Sequence, residues 1–217
     1  MKYPNLKEEK KLWKKGYKRV ACLDESGRGP LSGPVVAAAV MIENCELKIE
    51  NLKKLKDSKK LSAKKREEFY KILTNHPKIE WGIGRVSEKV IDKINILEAT
   101  KLAMKRAIRN LNCKLKIANL KKVDYLILDG NFKINSEIPQ KSIVKADEKV
   151  FSCAAASILA KVTRDRIMQR YGKKFPKYGF DRHKGYPTKL HLRMLKKYGP
   201  CEIHRKTFSP VKKLLNC

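Results

Sequence analysis

The sequence predicts an α/β fold, because short apolar runs alternate with longer segments of helical periodicity. Residues 20–23 and 35–42 are two apolar runs separated by a glycine-rich turn, which is typical of a strand-turn-strand unit. Apolar side chains at near-helical spacing over residues 97–111 then lead to a further apolar run at residues 125–128. Two parallel strands require a connection of this length, so we expect parallel neighbours in the sheet.

Weaker patterns complete the series of elements. Alternating apolar side chains at residues 79–83 predict a third strand, and residues 88–93 predict a short helix before the longer one. Residues 142–144 predict a fifth strand, and residues 150–170 predict a long helix that begins with small side chains. The long helix is therefore expected to follow the last strand of the sheet.

Composition divides the chain into three segments. Residues 1–17 are polar and rich in lysine, which predicts a basic N-terminal arm or a marginal surface helix. Residues 18–172 contain every predicted strand and form one domain of ordinary size. Residues 173–217 are rich in glycine, proline, lysine and aromatic residues and predict a C-terminal extension, where Thr188 can cap a helix that ends before Gly199.

The balance of charge favours a polyanionic partner. Lysine and arginine number 52 against 22 aspartate and glutamate residues, which gives a formal net charge of +30 at pH 7. Charge alone does not choose among nucleic acid, an anionic membrane and an acidic protein. The sequence has neither a membrane-spanning apolar stretch nor an apolar signal-peptide core, so we expect a soluble, cytoplasmic protein that binds no membrane. The large positive charge disfavours self-association and predicts a monomer.

The six cysteines predict free thiols in a reducing compartment. They lie far apart, and no C-x-x-C pair indicates zinc or redox chemistry. Cys22 and Cys153 stand within apolar runs, where cysteine behaves as a small hydrophobic residue.

Four acidic residues follow apolar strand-like runs, namely Asp24, Glu25, Asp129 and Asp147. Carboxylates just beyond strand ends lie at the rim of an open α/β sheet, where ligands bind. A cluster of like charges raises carboxyl pKa values unless a cation neutralises it or the groups remain exposed. Oxygen-only ligands suit Mg²⁺ or Mn²⁺, and two such ions can activate an attacking water and stabilise the leaving oxygen of a phosphodiester.

Spacing alone leaves a plainer interpretation of these acids open. An Asp or Glu after a strand is also typical of a polar turn. Adjacent Asp24 and Glu25 would point to opposite faces in a regular strand, so joint ligation requires the strand to end or twist there.

Residues 24–34, DESGRGPLSGP, resemble the signature of the ribonuclease HII family. Further blocks resemble that family in the family's own order: DSKKLS at 57–62, NILEAT at 95–100, LDG at 128–130, KADEK at 145–149, AAASILAKV at 154–162, GYPT at 185–188 and HRKTF at 204–208. The resemblance covers approximately residues 18–212, and the ordered set is far more specific than any single motif.

The resemblance implies a ribonuclease H-like fold, with a mixed five-stranded sheet flanked by helices and a C-terminal helical extension. It implies hydrolysis of RNA in RNA-DNA hybrids, and on the 5′ side of single ribonucleotides in duplex DNA, with 5′-phosphate and 3′-hydroxyl ends and two Mg²⁺ or Mn²⁺ ions. Asp24, Glu25, Asp129 and Asp147 take the positions of the four metal-binding catalytic acids. Asp165 is a rival for the fourth position, although the arginines beside it make ion pairing the easier explanation.

The resemblance also assigns substrate contacts. It gives Gly27, Arg28 and Gly29 the sensing of a ribose 2′-hydroxyl, which backbone groups in an open turn could hydrogen-bond; a plain tight turn is the alternative. It gives Tyr186 packing against the deoxyribose after the ribonucleotide, whereas a tail aromatic could equally fill the core.

Phosphate contacts complete the predicted interface. Ser58, Lys59, Lys60 and Lys184 are candidates, and a solvated charge run explains the lysines equally well. Residues 211–217 give no clear clamp-binding peptide, so a sliding clamp stays open as a partner without support from the sequence.

Two other functions compete with the nuclease. A non-catalytic basic protein could coat RNA or DNA, and a different nuclease or transposase of the same fold could cut DNA without a 2′-hydroxyl. A cleavage assay with a chelator separates the first, and an all-DNA substrate separates the second.

Overall fold

The computed structural model describes residues 3–43, 55, 58, 61–118 and 120–215, in which a five-stranded sheet forms the centre. The strands are β1 Val20–Ser26, β2 Val35–Ile42, β3 Ile79–Val86, β4 Tyr125–Asp129 and β5 Gln140–Ile143. Their order across the sheet is β3-β2-β1-β4-β5. The β1–β2 and β2–β3 pairs are antiparallel, whereas the β1–β4 and β4–β5 pairs are parallel. The mixed five-stranded sheet is therefore confirmed.

Seven α-helices surround this sheet in the described part of the chain. They are α1 Lys7–Lys14, α2 Ala63–Asn75, α3 Glu88–Ile117, α4 Phe151–Lys174, α5 Phe180–His183, α6 Lys189–Tyr198 and α7 Val211–Leu215. The predicted pair of a short and a long helix is confirmed within α3, which is kinked at Asn95 with φ 62°. The Asn95 side chain accepts hydrogen bonds from the backbone N–H groups of Leu97 and Glu98 and so caps the longer half.

Strand alternation divides the core into two layers. Ala21 and Leu23 of β1 belong to the cluster that packs against α3, whereas Cys22 between them belongs to a cluster shared with Val150 and Cys153 on the α4 side. Residues 152–157 near the start of α4 are small and buried, which lets the helix backbone approach the sheet closely. The sheet is thus covered on both faces.

Several boundaries differ from the predictions. No helix was expected between β2 and β3, where α2 begins at an N-cap in which the Ser62 hydroxyl accepts from the Lys65 N–H. The fifth strand covers Gln140–Ile143 rather than 142–144, and Val144 is 59% exposed. β1 continues to Ser26 because its pairing with β2 extends past the expected end. The predicted Thr188 cap is confirmed, because its side chain accepts from the N–H of His191.

The basic N-terminal segment contains the helix α1. Leu12 is buried, and so is Glu9, which accepts hydrogen bonds from the backbone and hydroxyl groups of Ser152 at the start of α4. Helix α1 therefore packs on the domain that follows it.

The structure also bears on the predicted free thiols and on the predicted lack of a membrane-spanning segment. The described cysteines Cys22, Cys113, Cys153 and Cys201 are free thiols, and Cys22 and Cys153 are buried; Cys45 and Cys217 lie outside the described residues. Within the described ranges, no helix combines the length and the apolar character needed to cross a membrane.

Candidate active site

Two of the predicted acids are neighbours across the parallel pair β1–β4. Leu23 pairs with Leu128 in this register, so the next position on each strand holds Asp24 and Asp129. Because side chains alternate along a strand, both aspartates point to the face opposite Leu23 and Leu128, which is the α4 side. The sheet itself therefore brings together two carboxylates that are far apart in sequence.

A third acid joins them from the segment that follows β5. Asp147 lies in a 3₁₀ helix, Ala146–Glu148, and the N–H of Ala146 donates to Asp129 Oδ1 at 2.8 Å. One carboxylate oxygen from each of Asp24, Asp129 and Asp147 lies within 4.8 Å of the other two. We call these three residues the acidic cluster.

The electrostatics of the acidic cluster fit a divalent cation. Burial raises the pKa of Asp24 well above its usual range, and the negative charges of Glu25, Asp129 and Asp147 raise this pKa further. The hydrogen bond that the Glu25 N–H donates to Asp24 Oδ1, at 2.6 Å, opposes this shift only in part. Converging carboxylate oxygens without nitrogen or sulfur are the donor set that Mg²⁺ and Mn²⁺ prefer, so these residues fit such an ion.

Glu25, the fourth predicted acid, lines the same pocket as Asp24. This pocket has a volume of about 200 Å³ and is also lined by Gly27, Arg28 and Gly29. Glu25 Oε1 lies 3.5 Å from Arg28 Nη1, so the positively charged guanidinium of Arg28 stands beside this carboxylate. The acidic cluster and the glycine turn are therefore parts of one site.

Gly27 occupies a position that only glycine fits. Its φ is +104°, and a Cβ atom there would overlap the Arg164 side chain and lie 2.8 Å from the carbonyl oxygen of Pro34. Around Gly29 there is more room, since the nearest atom to a Cβ there would be Tyr186 Cε1 at 4.0 Å. Packing therefore explains the first glycine of this turn and not the second.

Two fully buried arginines bond the backbone of this turn and of the segment that follows it. Arg164 of α4 donates to the carbonyl oxygens of Ser32 and Pro34 at 3.1 and 2.9 Å. Arg205 donates to the carbonyls of Gly27 and Arg28 at 2.6 and 2.9 Å. Burial lowers the pKa of Arg164 to about 10 and that of Arg205 to about 9, so both remain charged near neutral pH.

Tyr186 stands at the open side of the same pocket. Its side chain is 40% exposed, so it does not fill the core. Lys161 Nζ and Arg164 Cζ lie 5.8 and 5.9 Å from its ring centroid. An exposed aromatic face near cations is a surface on which a sugar or base can pack next to phosphate groups.

The Ribonuclease HII family model matches residues 21–211 of this chain. The chain belongs to the ribonuclease HII family. Ribonuclease HII from Chlamydia muridarum is 48% identical over 199 residues, covering 92% of this chain and 86% of the relative. That of Acetivibrio thermocellus is 51% identical over 202 residues, covering 93% and 73%. This is a family of endoribonucleases, so the protein is an enzyme of that class.

Solved structures agree with this membership. The crystal structure of ribonuclease H2 from Pyrococcus horikoshii matches with a TM-score of 0.68 and 29% identity, covering 91% of this chain and 97% of the other. The PCNA:RNase HII complex from Archaeoglobus fulgidus contains a chain with a TM-score of 0.69 and 27% identity, covering 88% and 95%. The ribonuclease H-like fold implied by the sequence resemblance is thus confirmed.

Of the four predicted phosphate contacts in this ribonuclease HII chain, the structure describes Ser58 and Lys184. Ser58 lines the pocket and its hydroxyl is 2.6 Å from that of Ser157, whereas Lys59 and Lys60 lie outside the described residues. The backbone carbonyl of Lys184 accepts a hydrogen bond from Arg164 Nη1 at 3.0 Å. Its ammonium group donates to the backbone carbonyl of Asp181.

Sequence reasoning assigned no role to several residues of the site. Ser157 and Lys161 line the pocket, and their spacing of four residues on α4 was a usable signal. Lys161 also forms an ion pair with Asp165 at 2.7 Å, so ion pairing accounts for that rival acid. No local pattern marked the buried roles of Arg164 and Arg205.

Proposed function

We propose that this protein hydrolyses RNA in RNA-DNA hybrids and the phosphodiester on the 5′ side of single ribonucleotides in duplex DNA. The products would carry 5′-phosphate and 3′-hydroxyl ends. One observation carries the proposal: a single pocket joins Asp24 and Glu25 to the turn 27–29 and to Tyr186. Membership of the ribonuclease HII family supports the same substrate class.

In the proposed mechanism, Asp24, Glu25, Asp129 and Asp147 would hold two Mg²⁺ or Mn²⁺ ions. When bound, such ions activate a water and stabilise the charge that develops on phosphate oxygens. The parallel pair β1–β4 keeps Asp24 and Asp129 in register, and the Ala146 N–H orients Asp129 by its hydrogen bond. Rigid placement of the carboxylates is favoured because the backbone holding them is itself hydrogen-bonded.

We attribute the choice of RNA to the turn 27–29 and to Tyr186. A 2′-hydroxyl both donates and accepts hydrogen bonds, and residues 27–29 line the pocket, so their backbone groups could bond such a hydroxyl. Gly27 lets the backbone of this turn approach the core without a side chain in between. Tyr186 would pack against the deoxyribose that follows the ribonucleotide, so it would distinguish an RNA-DNA junction from a uniform hybrid.

Positive charge would hold the duplex without selecting its sequence. The net charge of +30 favours binding to phosphates, and affinity should fall with salt at a log-log slope of about −0.9 per phosphate neutralised on B-form DNA. We place the enzyme in the cytoplasm as a monomer that removes ribonucleotides during DNA replication and repair. A relative from Archaeoglobus fulgidus was solved with PCNA, and for this chain the nucleic-acid duplex is the partner that we propose.

A paired-substrate assay tests this function. An all-DNA duplex and the same duplex with one ribonucleotide are incubated with the protein in Mg²⁺, in Mn²⁺ and in a chelator. We expect cleavage only of the second duplex, only with metal, and on the 5′ side of the ribonucleotide. Equal cleavage of both duplexes would indicate a DNA nuclease, and binding without cleavage would indicate a coating protein; either result overturns the proposal.

A further inference from the structure

Three buried histidines surround the backbone of Gly185 and Tyr186. His183, His191 and His204 are between 0% and 8% exposed, and all three belong to the C-terminal extension. The rings of His183 and His191 are stacked, with centroids 4.3 Å apart and an angle of 13° between their planes. His191 Nε2 and His204 Nε2 lie 3.1 Å apart, so one of these nitrogens donates to the other.

The two ends of this histidine pair determine where its protons lie. At one end, the backbone N–H of Cys201 donates to His204 Nδ1 at 2.9 Å, whereas the Cys201 carbonyl oxygen lies farther from this nitrogen, at 3.3 Å, so the shorter contact assigns Nδ1 as an acceptor. At the other end, His191 Nδ1 is 2.9 Å from the carbonyl oxygen of Tyr186, which can only accept, so this nitrogen carries a proton. The Sγ of Cys201, 3.2 Å from His204 Nδ1, can add a second, weak donor there.

A single arrangement of neutral rings satisfies both ends. His204 then carries its proton on Nε2 and donates it to His191 Nε2, and His191 carries its proton on Nδ1 and donates it to the Tyr186 carbonyl. While His204 carries its proton on Nε2, a cationic His191 would place two N–H groups face to face at 3.1 Å. Burial, with a smaller contribution from the neighbouring ring, lowers the pKa of His204 to about 4, which agrees with the neutral state.

The third histidine holds the other side of the same turn. The N–H of Gly185 donates to His183 Nδ1 at 3.1 Å, and His183 Nε2 lies 2.8 Å from the Tyr178 carbonyl, so the His183 proton is on Nε2. The Gly185 carbonyl accepts from the N–H of Leu31 at 2.8 Å. The turn that carries Tyr186 is therefore bonded to α6, to α5 and to the segment after the turn 27–29.

We propose that His191 and His204, as neutral rings with fixed tautomers, are positioning residues that hold the Tyr186 backbone and thereby place its ring at the edge of the pocket. The consequence for substrate choice rests on the proposed function, in which Tyr186 packs against the sugar after the ribonucleotide. His191 acts through Tyr186 and touches no reacting atom.

Nitrogen NMR tests the tautomers without any substrate. The chain has only four histidines, so long-range ¹H–¹⁵N spectra of the rings can be assigned by single substitutions. We expect the Nδ1–H form for His191 and the Nε2–H form for His183 and His204 at neutral pH. A His191 ring that is cationic or carries its proton on Nε2 would overturn the proposal.

Kinetics test the positioning role. His191→Phe keeps a ring and removes the donor, whereas His191→Asn retains an N–H near the position of Nδ1. We expect His191→Phe to lower kcat/KM on a single-ribonucleotide duplex, relative to a uniform hybrid, by about tenfold or more, and His191→Asn to restore most of that ratio. His76→Asn, at the end of α2 that leads into β3, is the matched control and leaves the ratio unchanged.

Tyr186→Ala on the same substrates separates the two proposals. If it loses the selectivity while His191→Phe keeps it, or if His191→Asn is as impaired as His191→Phe, the positioning role is wrong. If Tyr186→Ala itself keeps the selectivity, the role of Tyr186 in the proposed function fails, and the NMR result still decides the tautomers.

Discussion

Arg205 donates a hydrogen bond to the carbonyl oxygen of Gly27 at 2.6 Å, although 178 residues separate the two in sequence. The same guanidinium also bonds to the carbonyls of Arg28 and Gly33. The C-terminal extension therefore supplies hydrogen bonds that support the turn beside the acidic cluster. A residue that never reaches the pocket should in this way affect catalysis.

Replacement of Arg205 tests this connection. Arg205→Gln leaves several buried carbonyl groups without their charged donor, so we expect a loss of unfolding free energy of about 3 kcal/mol and a fall in kcat/KM. Urea unfolding and cleavage of a single-ribonucleotide duplex measure the two effects. Arg193→Gln, on the exposed side of α6, is the control. Equal behaviour of the two variants would show that Arg205 does not hold the turn.

Substitution of Gly27 tests the packing of the turn, and substitution of Gly16 is its control. Both have left-handed backbones, with φ of +104° and +93°, but a Cβ at Gly16 would have nothing within 4 Å. We expect Gly16→Ala to cost about 1 kcal/mol through its backbone conformation alone. Gly27→Ala adds about 2 kcal/mol of overpacking against Arg164 and also lowers cleavage. If both variants lose the same stability and activity, packing of the turn against Arg164 is unimportant.

The buried histidines predict a pH dependence of stability. Burial is the largest cause that lowers the pKa of His191, and likewise of His204, to about 4, whereas an unfolded histidine titrates near 6.5. Between these values the unfolded chain binds protons that the folded chain does not, so the unfolding free energy falls as pH decreases from about 6.5 to about 4. Urea unfolding should show a smaller decrease for His191→Phe. The same pH dependence in both proteins would contradict the assignment.

Removal of one charge from the acidic cluster should stabilise the metal-free protein. Burial and three neighbouring carboxylates raise the pKa of Asp24, so its ionised form is unfavourable in the fold. We expect Asp24→Asn to raise the melting temperature in chelator, and added Mg²⁺ to stabilise the wild type more than the variant. Asp181→Asn on the exposed side of α5 should change neither measurement. An Asp24→Asn variant that gains as much from Mg²⁺ as the wild type would argue against a metal at this place.

The sequence was informative wherever a pattern is local. Apolar runs predict the strands, and because Asp24 and Asp129 each follow such a run, the sequence predicts that they converge at the sheet, as the β1–β4 register confirms. Helix α2 was not predicted, because its first residues are mostly charged and only two of its side chains, Phe69 and Leu73, are buried. Two buried positions give too weak an apolar periodicity to indicate a helix. For Tyr186 the residues alone left a substrate contact and a core position open, and the resemblance decided between them.

Long-range contacts of polar residues left no comparable signal. Arg205 lies in a short polar segment, and nothing near it in sequence indicates that its partners are the carbonyls of residues 27, 28 and 33. The tautomers of His191 and His204 depend in the same way on a backbone N–H and a carbonyl from different segments. Such roles require the distances between groups, which the order of residues does not contain.

Cleavage assays on two variants of the acidic cluster test whether these carboxylates form the active site. Asp24→Asn and Asp129→Asn are compared with the wild type on a duplex that carries one ribonucleotide, with cleavage and equilibrium binding measured in the same Mg²⁺ buffer. We predict that both variants bind the duplex nearly as tightly as the wild type and produce no detectable cut. Full cleavage by both variants would contradict the assignment of the active site to these carboxylates.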